Sequence, residues 1–145
     1  MLIGIPAVVG PDLLATLCRM GHGDEIVLAD AHFPGDSVGQ RVLRADGIRI
    51  PQFLDAICRL LPLDRYVPEP IAMMAAVPGD TLDPAVEAAY RSAIERWQPG
   101  RARVERVERF AFYERARKAF AVVMTGELAK YGNIILKKGL VEGAT

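Results

Sequence analysis

The chain holds two histidines, His22 and His32, and both stand among carboxylates. The first lies in Gly21-His22-Gly23-Asp24-Glu25, the second in Asp30-Ala31-His32-Phe33-Pro34. An unperturbed imidazole titrates near pH ~6.5, so either ring could give or take a proton at neutral pH. The glycines on both sides of His22 leave its ring accessible and let the backbone turn sharply. Histidine and aspartate at this spacing can also ligate zinc or a related ion, through His22, Asp24, Asp30 and His32. Against the metal stands the lack of a helix with paired histidines and of a cysteine pair. A plainer alternative stays open: His22 is a solvated loop residue and Asp30 only caps the segment after it.

Two further groups carry usable chemistry. Arg109-Phe110-Ala111-Phe112-Tyr113-Glu114-Arg115 is either a helix with aromatic residues in the core and charges in solvent, or one wall of a site. Tyr131-Gly132-Asn133 combines an amide that donates and accepts with a phenol that has a hydroxyl and an apolar face. Polar edges for hydroxyls and a ring for a C–H face are what a sugar site uses. An asparagine that favours a turn accounts for the same three residues.

The elements that must position these groups follow from periodicity and punctuation. Pro11 to Met20 reads as a helix, with Pro11 in its first turn, Asp12 at the positive end of the dipole and Leu13, Leu14 and Leu17 on one stripe. Glu25 to Ala29 reads as a buried strand, so both histidines fall in loops that bracket it. Loop residues at the ends of buried strands are where α/β proteins place chemistry. Ala31 to Gly39 is a loop with room for a helical turn. Arg41 to Arg44 and Ile48 to Ile50 flank Asp46-Gly47, the signal of a hairpin.

Pro51 to Leu61 is a second amphipathic helix, and Ile71 to Val77 a central strand ended by Pro78-Gly79. Asp83 before Pro84 starts a helix through Trp97. Val104 to Glu108, Phe120 to Thr125 and Ile134 to Leu136 read as strands, with a helix at Phe110 to Lys118 between the first two. Strands alternating with helices imply a layered α/β domain.

Composition narrows the partners. Of 145 residues, 51% are apolar and 25% charged, enough for one domain with a real core. Eighteen basic residues balance eighteen acidic ones. The chain therefore has no bulk electrostatic reason to seek nucleic acid or an anionic membrane. Cys18 and Cys58 fall in predicted helices and read as buried thiols. Met1 to Val9 is apolar but lacks a basic start and is broken by Gly4 and Pro6, so it is a poor signal peptide. No apolar run reaches the ~20 residues of a membrane span. A soluble protein of the cytoplasm is expected. The glycine-rich nucleotide loops and the Gly-x-Ser-x-Gly nucleophile elbow are missing, which weighs against redox, kinase and serine hydrolase chemistry.

Taken in order, several segments resemble the L-fucose mutarotase and ribose pyranase family. They are 21–26, 30–34, Arg44-Ala45-Asp46-Gly47, Met73 to Val77, Gly79 to Pro84, Arg109 to Ala116 and Tyr131 to Gly139. Each is short, but their order across nearly the whole chain is specific. The stretch from Trp97 to Arg103 and the Gly35-Asp36 pair depart from the family pattern. Ribose-type members share the Gly-His start and the Tyr-x-Asn-Ile-Ile-Leu end. They lack the His-Phe-Pro and Arg-Phe-Ala-Phe-Tyr-Glu-Arg segments that this chain has, so it resembles the fucose type.

The resemblance implies a single three-layer α/β/α domain over residues 1–145 with a mixed central sheet. It also implies a ring-type homo-oligomer, usually a decamer, with active sites near subunit contacts. It implies a mutarotase that opens and recloses the ring of free L-fucose, with related free sugars such as ribose or galactose as further candidates, without metal or other cofactor. His22 would be the acid/base. Asp30, Arg109, Tyr131, Gly132 and Asn133 would bind the sugar, with His32 and Tyr113 behind them. Two other classes stay open: a metal-dependent isomerase or hydrolase built on His22, Asp24, Asp30 and His32, and a non-catalytic sugar-binding protein.

Overall fold

A computed structural model describes residues 1–143, so the last two residues of the expected 1–145 domain lie outside the described residues. Five helices and six strands alternate along it. They are α1 (Pro11–Arg19), β1 (Glu25–Ala29), α2 (Gly35–Val38), β2 (Val42–Ala45), α3 (Ile50–Ile57), β3 (Ile71–Met74), α4 (Pro84–Trp97), β4 (Val104–Val107), α5 (Arg109–Lys118), β5 (Ala121–Thr125) and β6 (Ile134–Lys137).

Local chemistry sets the helix ends. The Asp83 carboxylate accepts the Ala85 N–H at 2.9 Å and so caps α4 ahead of Pro84. Glu108 caps α5 in the same way, accepting from the N–H groups of Phe110 and Ala111. Those bonds hold its carboxyl below the usual range. Arg115, Arg117 and Lys118 occupy the last turn of α5, where the dipole favours cations. At the far end of α1, Lys138 reaches across and donates its ammonium to the carbonyls of Leu17 and Met20.

The strands form one sheet in the order β2-β5-β1-β6-β3-β4. β1 and β2 both run parallel to β5, and β3 runs parallel to β4. β6 runs antiparallel to both of its neighbours, β1 and β3. The expected mixed sheet is therefore present. Side chains alternate across it, as the two-residue strand period demands. Ile26 and Leu28 of β1 face a core closed by Leu13 and Leu17 of α1, Phe53, Leu54 and Ile57 of α3, and Tyr90 and Ile94 of α4. Val27 and Ala29 face a smaller core closed by Val38 of α2 and Phe112 and Ala116 of α5. Helices thus cover both faces of one sheet. Each fully buried Leu, Ile or Phe contributes about 1.5–3 kcal/mol by leaving water.

Three expectations need correction. The Asp46-Gly47 turn exists, with Gly47 at φ 85°, but it does not make a hairpin. Ile48 to Ile50 lead instead into α3, and β2 finds its partner in β5, 76 or more residues along the chain. Pro51 in the first turn of α3 favours the helix over a returning strand. Cys18 is exposed, because it falls outside the stripe of α1 that buries Leu13 and Leu17; only Cys58 is buried, and burial pushes its thiol up to about 12. The strand expected over Ile71 to Val77 ends at Met74, where the chain turns outward into the cleft described next.

Candidate functional site

The topology sorts the chemical residues into two groups. Because β1, β3, β4 and β5 point the same way and β6 runs against them, one end of the sheet gathers five chain segments. Asp30 follows β1, Val77 follows β3, Arg109 follows β4, Glu127 follows β5, and Asn133 precedes β6. A cleft of about 260 Å³ opens there.

Asp30 forms its floor. It is 8% exposed, its backbone N–H donates to Asn133 Oδ1 at 2.7 Å, and its own Oδ1 accepts the His32 N–H at 2.9 Å. Burial pushes the Asp30 carboxyl above its ordinary value, and the bonds from His32 and Asn133 oppose that rise without cancelling it. Thr125 and Glu127 fasten the floor from β5: Thr125 Oγ1 donates to the Ala29 carbonyl at 2.7 Å, and the Ala31 N–H donates to the Glu127 carbonyl at 2.8 Å.

One wall comes from the loop before β6. Tyr131 is the one non-glycine residue with a left-handed backbone among the described residues, at φ 56°. Its neighbour explains how that is held. The Gly132 carbonyl accepts the buried Tyr90 hydroxyl at 2.8 Å. A Cβ at Gly132 would lie 2.7 Å from the Ala129 carbonyl oxygen, so only glycine fits. Gly132 therefore shapes the loop and offers no side chain to a ligand. The Tyr131 hydroxyl donates to Asp80 Oδ2 at 2.8 Å and accepts the Val77 N–H at 3.2 Å. Lys130 Nζ stands 2.5 Å from the same Asp80 oxygen. These two donors, Lys130 foremost, draw the Asp80 carboxyl down to about 2.

The opposite wall is the start of α5. Arg109 is its first residue, exposed, with the guanidinium stacked 4.6 Å from the Phe110 ring. Tyr113 stands one turn further on and packs against Phe33 at 5.6 Å. Met74, Val77 and Phe33 supply apolar surface, and exposed His32 closes the rim. All of Asp30, His32, Arg109, Tyr113, Tyr131 and Asn133 therefore line one cleft.

His22 does not. It precedes β1 and sits at the opposite end of the sheet, and the five-residue strand alone separates the two ends by about 13 Å. There its Nε2 lies 3.0 Å from Asp64 Oδ1, and its ring meets that of Tyr66 with centroids 5.2 Å apart. The Asp64 side chain is 3% exposed, that of His22 38%. Burial works to raise the Asp64 carboxyl, but the Tyr66 N–H, the imidazole and the Lys137 charge outweigh it, and the group is held below its ordinary value. An ionised Asp64 accepts a proton held on Nε2 and leaves the Nδ1 lone pair as the free end of the ring. The chain segment around the pair is tied down by Arg101, whose guanidinium donates to the carbonyls of Asp64 and Val67. The Gly23 N–H bonds to the Lys138 carbonyl at 2.8 Å and fixes the other side.

This geometry corrects the metal alternative. His22 and Asp24 lie at one end of β1, Asp30 and His32 at the other, and Asp24 is committed to the Gly21 N–H at 2.7 Å. Among the described residues no three His, Cys, Asp or Glu side chains gather as a metal site. Sequence reasoning also missed Asp64, Asp80 and Lys130. Asp80 stands in the Gly79-to-Pro84 segment singled out above, and Lys130 adjoins Tyr131. Asp64 lies 42 residues from His22 in a proline-bearing connection, and no local pattern links the two.

A larger cleft, about 320 Å³, opens between α3 and α4. It is mostly apolar, and its polar groups are already satisfied: Arg49 pairs with Glu127 at 3.1 Å, and Tyr90 bonds Gly132. The smaller cleft has the unsaturated polar edges that a hydroxylated ligand needs.

Comparison with known proteins bears on what that ligand is. The RbsD / FucU transport protein family matches residues 3–141. An L-fucose mutarotase of Actinobacillus pleuropneumoniae serotype 5b (strain L20) is 59% identical over 140 residues, spanning 97% of either chain. The crystal structure of the fucose mutarotase from Streptococcus pneumoniae in complex with L-fucose superposes with a TM-score of 0.91. It is 48% identical and covers 97% of this chain and 99% of that one. Bacillus subtilis RbsD complexed with D-ribose, at 21% identity and TM-score 0.72 over 97% and 99%, shares the fold. No described helix is long and apolar enough to cross a membrane.

Proposed function

This chain belongs to the RbsD / FucU family, and from that premise we propose that it is a mutarotase interconverting the α and β anomers of L-fucose. The observation that carries the reading is the cleft at the end of the sheet. It pairs a buried carboxylate, an amide, a phenol and a guanidinium with the apolar surface of Met74, Val77 and Phe33. Hydroxyls find partners among the first four. The apolar wall suits the ring C–H face and the methyl group of a 6-deoxy sugar.

Mutarotation needs two proton transfers. The anomeric hydroxyl gives up its proton, the bond from C1 to the ring oxygen breaks, and that oxygen takes a proton. The open aldehyde turns about the bond from C1 to C2, and the reverse transfers close the ring on its other face. No net proton, electron or group is exchanged with the protein. Each transfer assisted by a positioned side chain is worth about 10²–10⁴ in rate. His22 is suited to this work, with one nitrogen bonded to Asp64 and the other free.

The distance between His22 and the cleft makes assembly part of the reading. We place His22 of the partner subunit, with its Asp64, over the cleft of its neighbour. The exposure of His22, Tyr66, Leu140 and Val141 on one side and of Phe110 and Leu128 on the other supports such a contact. A head-to-tail contact between different surfaces forms a ring where its rotation closes, and the assembly we propose is the ring-based decamer that the family likeness implies. Arg109 and Asn133 then bind the sugar with Asp30 and Tyr131, while His32 and Tyr113 border it. The cytoplasm suits a chain whose Cys18 and Cys58 are both free. The test is saturation-transfer NMR of the anomeric protons of L-fucose, with ribose and galactose in parallel. Exchange faster than in buffer and greatest for fucose is expected. Binding without faster exchange would make the protein a sugar-binding protein instead.

A further inference from the structure

We propose that Asp80 is a positioning residue that fixes which way the Tyr131 hydroxyl presents itself to the sugar, an inference that rests on the mutarotase reading. A phenol has one proton to donate and two lone pairs to accept with. In this structure the proton is committed to Asp80 Oδ2 at 2.8 Å, and one lone pair accepts the Val77 N–H at 3.2 Å. What remains is a single lone pair. Tyr131 therefore meets a sugar hydroxyl as an acceptor and not as a donor. That is the sense required of a group receiving the proton side of an anomeric hydroxyl during ring opening.

The arrangement is built, not incidental. Asp80 belongs to a turn closed by its own N–H on the Val77 carbonyl at 3.0 Å, so the same turn supplies both the acceptor and the donor that grip Tyr131. Asp80 Oδ1 accepts the Thr81 N–H at 2.8 Å, which aims Oδ2 at the hydroxyl. Lys130 Nζ shares that oxygen at 2.5 Å and favours its ionised form. The loop that carries the phenol is itself held, by the Tyr90 hydroxyl donating to the Gly132 carbonyl beside the left-handed Tyr131. The Asp80 carboxylate meets the cleft through the Tyr131 hydroxyl and Lys130 and does not itself line it, so it acts on the sugar through them.

Loss of the carboxylate lets the Tyr131 proton swing toward the sugar and turns an acceptor into a donor. The closing experiment compares the full-length parent, Asp80→Asn, Tyr131→Phe and the double variant. Anomeric exchange is followed by NMR at saturating L-fucose, and fucose affinity by calorimetry. Asp80→Asn is expected to slow exchange about tenfold to thirtyfold, the share of a charge-assisted bond, with affinity within about threefold of the parent. Tyr131→Phe slows it more. The double variant is expected to match Tyr131→Phe within about twofold, because groups acting as one unit are not additive. A purely structural Asp80 would give multiplying losses in the double variant, and that result overturns the proposal. So does Asp80→Asn at the parental rate beside a slow Tyr131→Phe. A parent with no exchange activity would instead remove the mutarotase reading itself.

Discussion

Replacing Asp64 by Asn changes one charge and almost no volume, so it isolates what the carboxylate does for His22. The carbonyl oxygen of the amide is held where Oδ1 now sits, because the Tyr66 N–H donates to that atom at 3.0 Å. It can still accept from His22 Nε2, so the ring keeps its orientation and tautomer. What disappears is the stabilisation of imidazolium at the moment His22 carries a second proton. A hydrogen bond to a charged group contributes about 1.5–3 kcal/mol. The His22 side chain is 38% exposed, and water screens that side of the pair, so the lower half of the range applies. About 1.5–2 kcal/mol corresponds to a loss of roughly tenfold to thirtyfold in exchange rate at ~1.36 kcal/mol per tenfold.

The same substitution changes stability with a definite sign. The folded-state pKa of Asp64 lies below its unfolded value, so its contribution is present above the ordinary carboxylate range. That contribution is lost as pH falls through the depressed value. The variant should therefore be less stable than the parent from neutral pH down through pH 4, and should unfold like it in urea only at the acid end of the range, below the depressed value. Anomeric exchange by NMR from pH 5 to 8, with urea melts from pH 2 to 7, reads both effects. Asp64→Asn with parental exchange across that range would show that the carboxylate only holds the loop, and the assignment of His22 as acid/base would lose its support.

His22→Asn should keep the fold and much of the fucose affinity but cut exchange by about 10²–10⁴, whereas His32→Asn should cost less and alter sugar preference; a reversal of that order exchanges their roles. Because His22 and Tyr131 sit at opposite ends of the sheet, mixing the slowed His22→Asn and Tyr131→Phe subunits should regain part of the lost exchange. No recovery after verified subunit mixing argues for a site within one chain. Gly132→Ala places a methyl 2.7 Å from the Ala129 carbonyl and 3.1 Å from the Tyr90 hydroxyl, and should cost about 1–3 kcal/mol in stability with weaker fucose binding, read by urea melts and calorimetry.

Much of this molecule is written locally. The apolar run at Glu25 to Ala29 and the Asp83-Pro84 start of α4 each act through neighbours a few residues away, and signals of this kind set most of the order of strands and helices. The residues of the cleft were also legible as types: a carboxylate after a strand, an arginine opening a helix, a Tyr-Gly-Asn loop. Pairing was not. Nothing near Val42 to Ala45 says that they lie along β5 and not against Ile48, because strand pairing is decided by which faces must be buried together. Nothing near His22 points to Asp64, 42 residues away, and the closeness of His22 to Asp30 in the sequence misleads about space. A strand is stiff and extended, so His22 and Asp30, which read as one cluster in the sequence, end up at opposite ends of the sheet. The sequence determined which groups are available and in which elements; the reversed direction of β6 and the length of β1 decided which of them meet.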